Sequence, residues 1–398
     1  FSVRGGVYEQ LGCWVNWTRG SAVDGREAGR IDADWYLGDH SLRAGVDAEA
    51  NTSEDSTQYT GGIAYWYYDG SEPTEEFPYE VRVLNYEYEG SWDTNTRAAY
   101  AQDSWAVAPN ITLNLGLRYE EFENKNARGE TFIEVTGQWA PRLGVIWDPS
   151  RQGRTKLYGS YGLYYLPIAS NTNIQGAGGV FFDWGFFQWT GENNFDGSPV
   201  GYTDCGNGML DGCGNQGSVG EYLSGTIYQD GTVADPREVL STNFDPMSQW
   251  ELILGYEQML GNTWSLGARF MARQFNEVID DFFIDETLWR DFGIAGCGPP
   301  DGPCGEFRLG NPGRDFEGWV DLEGNGELTP VRIPAEDLGF PEPERNYYAV
   351  ELTFKRRFSN NWMLEGSYTW SHTYGNYEGT TNTDMGSALA GMHHSFDT

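Results

Sequence analysis

The stretch from Ala98 to Glu121, AAYAQDSWAVAPNITLNLGLRYEE, decides the fold. Within it Ile111, Leu113, Leu115, Leu117 and Tyr119 alternate with Thr112, Asn114, Gly116, Arg118 and Glu120, the period-two signature of a strand with one apolar and one polar face. A helix would scatter those apolar residues around its whole circumference. The preceding run, Tyr100 to Val107, is separated from it only by Ala108, Pro109 and Asn110, so two strands are expected to pair antiparallel across a tight turn.

Outward from this hairpin the same unit recurs. Ile31, Ala33, Trp35 and Leu37 turn at Gly38-Asp39 and return through Leu42, Ala44, Val46 and Ala48. Tyr59 to Tyr68 and Tyr79 to Tyr88 read as two strands around DGSEPTEEFP, and Ala140 to Trp147 passes through DPSRQGR into Lys156 to Tyr165. Trp250, Leu252, Leu254 and Tyr256 turn at Leu260-Gly261-Asn262 and come back as Trp264, Leu266, Ala268 and Phe270. Tyr348, Val350, Leu352 and Phe354 do the same at Phe358 to Asn361, returning through Trp362, Leu364, Tyr368 and Trp370. Phe1 to Thr18 reads as an opening strand and His393 to Asp397 as the beginning of a last one. Arg19 to Gly29, Asn51 to Thr57 and Glu121 to Gly137 read as polar connections, Gly375 to Gly391 as a polar loop, and about 167–246 and 277–345 as very long loops.

Roughly fourteen strands result, of the nine to eleven residues that cross a bilayer when tilted. In strand order the tight turns fall on one rim and the long connections on the other, as in a transmembrane antiparallel up-and-down β-barrel with short turns inside and long extracellular loops. A soluble all-β sandwich or propeller has no cause to keep its long loops at one end. The polar face of the last hairpin, with Glu351, Thr353, Lys355, Glu365, Ser367 and Thr369, would be costly against lipid and suits a wide, wet or plugged lumen.

The totals agree. Sixteen Trp and 24 Tyr bring aromatics to 15%, which suits rings at a membrane interface, although carbohydrate-binding β proteins are also aromatic-rich. Mean hydropathy is −0.56, and no apolar run has the length of a spanning helix. Fifty-nine acidic against 25 basic side chains give a net charge of −34. That sign excludes nucleic acid as a partner and leaves cation capture or a solvated acidic surface. Phe1 to Gly20 lacks the basic and apolar regions of a signal peptide.

Four of the five cysteines sit in turn-rich segments, Cys205 and Cys213 in DCGNGMLDGCGNQG and Cys297 and Cys304 around GPPDGP. Local disulfides, Cys205–Cys213 and Cys297–Cys304, are the simplest pairing and imply an oxidising compartment; a zinc site would want CxxC spacing. Cys13 is left as a free thiol on an apolar strand face.

Tyr100-Ala101-Gln102-Asp103-Ser104-Trp105, with Leu115-Gly116-Leu117-Arg118-Tyr119 after the turn, resembles the TonB-dependent outer-membrane transporters. Pro141 to Pro149 (PRLGVIWDP) and Arg154 to Gly162 (RTKLYGSYG) are similar to the Oar-like branch of that family. The resemblance implies a barrel of about 22 strands in the Gram-negative outer membrane, closed by an N-terminal plug that carries a TonB box. No plug or TonB box is visible before Phe1, and further C-terminal strands are expected beyond Thr398. The sequence is therefore expected to be a portion of a single barrel domain. Outer-membrane lipid and lipopolysaccharide, the TonB complex acting through the plug, and an extracellular ligand are the expected partners.

For sites, there is no GxSxG, HExxH or P-loop, so catalysis is not expected. The aromatic run Phe181, Phe182, Trp184, Phe186, Phe187 and Trp189, lying in the first long loop, could pack against neighbouring loops, fold over the barrel mouth or stack on a ligand ring. Asp321, Glu323, Asn325 and Glu327 alternate around Gly326 like the first half of a calcium loop, with Arg332 where a bidentate Glu would stand; calcium is the cofactor such a loop would take, and a plain Gly-rich turn is the alternative. The expected function is ligand transport across the outer membrane; the alternative is a structural or adhesive surface barrel that binds a partner through its loops.

Overall fold

The computed structural model describes residues 2–4, 7–9, 18–69, 76, 78–168, 174, 176–195, 197–201, 219–282, 308–321 and 326–377. In chain order the strands are β1 (Ser2–Arg4), β2 (Val7–Glu9), β3 (Thr18–Leu37), β4 (His40–Asp69), β5 (Tyr79–Ala108), β6 (Ile111–Lys125), β7 (Thr131–Trp147), β8 (Thr155–Tyr165) and β9 (Phe181–Trp189). They continue as β10 (Val219–Asp230), β11 (Ser248–Leu260), β12 (Trp264–Glu277), β13 (Asp280–Phe282), β14 (Arg308–Gly310), β15 (Phe316–Val320), β16 (Thr329–Ile333), β17 (Arg345–Ser359) and β18 (Trp362–Gly375). Among the described residues helix is limited to short turns such as Pro236–Val239 and Ala335–Leu338.

The long strands form one antiparallel meander in the order β18-β17-β12-β11-β8-β7-β6-β5-β4, with β3 beyond β4. Within it β5 and β6 close at Pro109-Asn110 and set Asp103 opposite Leu115 and Ala99 opposite Tyr119. The turns at Gly38-Asp39, Pro109-Asn110, Asp148 to Arg154, Gly261 to Thr263 and Asn360-Asn361 share one end of the sheet. Asn360 and Asn361, at φ 50° and 64°, supply the consecutive left-handed residues that a type I′ hairpin requires. β3 and β18 do not pair, so the sheet is open.

Alternation sorts the two faces near the turn end. Ile31, Val46, Ala99, Tyr119 and Trp139 form one cross-strand row, and Leu254, Phe270, Val350 and Trp370 another. Most of the large residues on this face are exposed, Ile31 to 74% and Leu254 to 50%. A continuous apolar surface of this extent over ten strands needs a lipid solvent. The opposite face is polar.

Away from the turns the structure departs from the sequence expectations. Arg19 to Gly29 and Asn51 to Thr57 are not connections but the outer halves of β3 and β4, paired residue for residue from Thr18↔Tyr59 to Leu37↔His40. Tyr79 to Tyr88 and Tyr100 to Val107 likewise belong to one strand, β5. At 30 residues, β4 and β5 extend about 100 Å against a hydrocarbon core of about 30 Å. Where both faces of a strand meet water the apolar alternation disappears, but the backbone ladder has no reason to stop. Glu121 to Gly137 is a hairpin rather than a loop: β6 and β7 close at Asn126 to Glu130, where the Asn126 side chain accepts from the Arg128 and Glu130 amides at 3.0 and 2.9 Å. The alternating acids there face water, while Phe122, Phe132, Ile133 and Val135 are buried. The sheet does contain fourteen strands, though several of them are not the segments that the pattern marked.

The loop end has its own architecture. β9 pairs with the outer part of β5, Tyr79↔Trp189 to Glu87↔Phe181, and β10 pairs with β9. With the outer part of β4 and the short β1, these strands form a crown above the meander. The remaining described loop segments fold as a lobe around Phe132, Ile133, Val135, Ile168, Ala177, Val239, Ile279 and Leu309.

Candidate functional site

Three parts of the structure can meet a solute. The first is the polar face of the meander. Arg118 on β6 bridges Asp47 on β4 at 2.8 Å and Glu120 at 2.6 Å; Arg30 pairs with Asp32 at 2.8 Å, Arg43 with Asp32 at 3.2 Å, and the Tyr100 hydroxyl donates to Asp32. Further round the sheet Lys156 pairs with Glu257 at 3.2 Å, Arg273 with Glu251, Arg269 with Glu351, and Lys355 with Glu365 at 3.3 Å. Period-two alternation puts charges on one face, and register sets opposite charges on adjacent strands. Between these two groups lies a depression of about 520 Å³.

The second part is the inner face of the crown. The aromatic run that the sequence left between packing and ligand contact is β9 itself. Phe187 (1% exposed) and Trp189 are buried among Tyr67, Val81 and Val83, with the Trp189 indole donating to the Glu192 carbonyl at 3.0 Å. Phe182 and Trp184 lie on the other face, against Tyr59, Leu84 and Tyr86. On that face Arg82, opposite Trp66 on β4 and Phe186 on β9, places its guanidinium carbon 4.5 Å from the Trp184 ring centroid, 5.4 Å from Trp66 and 5.7 Å from Phe186. It makes no ion pair among the described residues. Counting by twos along β5, Arg82 has the parity of Tyr100 and Gln102, so this wall continues the polar, inward face of the sheet. Burial pushes the nearby Tyr59 hydroxyl up to about 12.

The third part is the lobe, whose segments from the two long loops are locked together. Arg314 pairs with Asp245 before β11 and with Glu277 at the end of β12. The Asn311 amide donates to the Asp245 and Val278 carbonyls at 2.8 Å each and accepts from the Asp245 amide at 2.7 Å. Backbone bonds Ser241 N to Leu309 O (2.9 Å) and Thr242 N to Glu317 O (2.6 Å) add to this, and the buried Tyr377 donates to the Ile279 carbonyl at 2.8 Å. Burial raises the Glu277 carboxyl against the opposing pull of Arg314, whereas Asp235 and Asp315 are held below the ordinary carboxylate range by hydrogen bonds from Arg237 and Arg332.

Other sequence candidates are placed only in part. Asp321 follows β15 and its carboxylate accepts from the Gly326 amide at 2.6 Å; Glu327 is exposed ahead of β16, and Glu323 and Asn325 lie outside the described residues. Cys13, Cys205, Cys213, Cys297, Cys304, His393 and His394 also lie outside them. His40 is the first residue of β4; its Nδ1 lies 2.6 Å from Asp103 Oδ2 and its ring stacks on Trp105 at 5.1 Å. Among the described residues no three His, Cys, Asp or Glu side chains could hold a metal together. Arg82, Arg142 and Arg314 had no local signal in the sequence, because each gains its meaning from residues on other strands.

Comparison with known proteins adds the following. Residues 29–133 and 122–395 match the outer membrane beta barrel domain family. The TonB-dependent transporter Oar of Myxococcus xanthus is 26% identical over 400 residues, covering 91% of this chain and 32% of its own length; the chain thus spans about a third of that curated relative. Among solved structures, the FpvAI–pyocin S2 complex overlays with a TM-score of 0.44 at 10% identity, covering 90% of this chain and 34% of that one. The outer membrane transporter YddB from Escherichia coli gives 0.41 at 12%, with coverages of 90% and 34%. Likeness at this level has no bearing on ligand or mechanism.

Proposed function

The chain belongs to the outer membrane beta barrel domain family, and on that premise we propose that it forms part of the wall of an outer-membrane transporter that moves a ligand inward with energy delivered by a TonB complex. The observation that carries this reading is the division of one set of strands into an uncovered apolar face and a face laced with ion pairs, which separates lipid from a polar path. Similarity to a relative described as a TonB-dependent transporter supports the energy coupling. The loop end faces outward, and the interlocked lobe and the inner face of the crown meet the ligand first. There Arg82, with Trp66, Trp184 and Phe186, offers a guanidinium framed by rings, suited to a planar anionic group. Phe181, Phe182, Phe187 and Trp189 hold that wall in place.

The test compares solute depletion from growth medium by the source strain and by a strain lacking the full-length protein, with and without collapse of the proton-motive force. At least one solute is expected to remain in the medium both in the deletion and under collapse. Identical depletion profiles for the two strains would sink the transport reading. An Arg82→Ala strain is expected to deplete that solute about tenfold more slowly at limiting concentration, the scale of one charge-assisted contact.

A further inference from the structure

The four cations that line the depression on the inward face of the meander each have a carboxylate partner, with one exception among the described residues. The exception is Arg142 on β7. Its register explains why: it stands opposite Gly116 on β6 and Gly162 on β8, so neither neighbouring strand offers a side chain at its level. Its guanidinium carbon lies 4.8 Å from the centroid of the Tyr164 ring, which supports the group without neutralising it.

Arg142 lines the depression of about 520 Å³ on this face. Arg30, Arg118 and Lys156 share the lining, with neutral hydrogen-bonding groups from Gln102, Asn114, Ser160 and Tyr158. The carboxylates that pair with Arg118 and Lys156, on Asp47, Glu120 and Glu257, are not part of it. Asp103 is the acidic residue in the lining, and its carboxylate is held by His40 on the opposite, apolar face. The hollow thus presents cationic groups whose carboxylate partners lie outside its lining, with Arg142 the one left without such a partner, and the glycines opposite Arg142 keep it open. Arg142 is exposed to the hollow, and its planar fork matches carboxylate and phosphate oxygens two at a time.

We propose that this hollow is an anion subsite, in which Arg142 takes a carboxylate or phosphate group of the solute passing along the wall. The proposal rests on the transport reading and adds the charge class of what is carried. The test uses the purified full-length protein in lipid nanodiscs and titration calorimetry with citrate and, separately, inorganic phosphate, the two arms distinguishing a carboxylate from a phosphate site. Binding of at least one probe is expected, at least tenfold weaker in Arg142→Ala and partly restored in Arg142→Lys.

Gly144→Leu is expected to block the hollow sterically with its charges intact. A Cβ at Gly144 meets Asn114 Cβ at 3.5 Å, an ordinary contact from which the longer side chain extends into the space. A shift in gel migration between unboiled and boiled protein reports that each variant is folded. Failure of both probes to bind the wild type, or equal binding by Arg142→Ala, overturns the proposal. Medium depletion that persists alongside such a failure removes the subsite and leaves transport standing; loss of the depletion phenotype alongside Arg142-dependent binding does the reverse.

Discussion

Between Thr94 and Ala108, β5 pairs with β6, whereas between Tyr79 and Glu87 the same strand pairs with β9. The inner half is a boundary between two solvents: Ala99 and Ala101 point one way with Leu115 and Leu117 beside them, and Tyr100 and Gln102 point the other way among arginines and carboxylates. The outer half has protein packed on both faces over much of its length, Val81, Val83, Leu84 and Tyr86 all being at most 3% exposed, and Arg82 stays only partly buried on the inner face. One strand thus changes from membrane wall to protein core along its length. In the first half the external medium organises the side chains, and in the second half neighbouring strands do.

Loss of the Phe187 side chain should separate the halves most sharply. Phe187→Ala removes a ring at 1% exposure from the crown core and is expected to cost about 3–5 kcal/mol there. Hydrogen exchange should accelerate in β9 and the outer part of β5 while amides of β17 and β18 keep their protection; uniform acceleration would show that the halves are not independent.

Within the membrane wall, Leu352→Arg and Thr353→Arg give the next contrast. Leu352, 48% exposed on the apolar face, should cost about 2–4 kcal/mol as arginine, and the lumenal Thr353 less than about 1 kcal/mol. Urea-induced unfolding in lipid vesicles measures both, and equal costs would contradict the assignment of faces.

The smallest effect concerns pH. Tyr59 in the crown has its hydroxyl pushed up to about 12 by burial, above the unfolded value near 10. The folded state thus holds that proton where the unfolded chain has lost it. The contribution is complete below pH 10 and fades as pH rises toward 12. Tyr59→Phe should flatten that part of the crown's hydrogen-exchange profile, and an unchanged slope would exclude Tyr59 as its source.

Legibility followed the same division. The hairpin at Pro109-Asn110 and its counterparts at Gly38-Asp39 and Asn360-Asn361 could be read directly, because lipid on one side and water on the other write a period of two into the residues. The outer part of β3 and the continuity of β4 and β5 were missed for the complementary reason. With water on both faces, Arg19 to Gly29 and Asn51 to Thr57 carry no apolar period, and with protein on both faces β9 reads as an unbroken aromatic run whose partners are unknown. The candidate site was visible as residue types, such as the aromatics of β9, but not as an arrangement. Arg82 beside Trp184 and Arg142 between two glycines depend on register across strands far apart in sequence.

The sequence by itself determined that this chain is an antiparallel sheet with an apolar and a polar face and with its tight turns at one end, since strand periodicity and turn chemistry are local properties. Tertiary structure alone decided how far β4 and β5 rise past the apolar band, which strand covers the outer half of β5, and which cation lining the hollow is left without a carboxylate. Those outcomes depend on pairing register, and register is a relation between segments that no single segment contains.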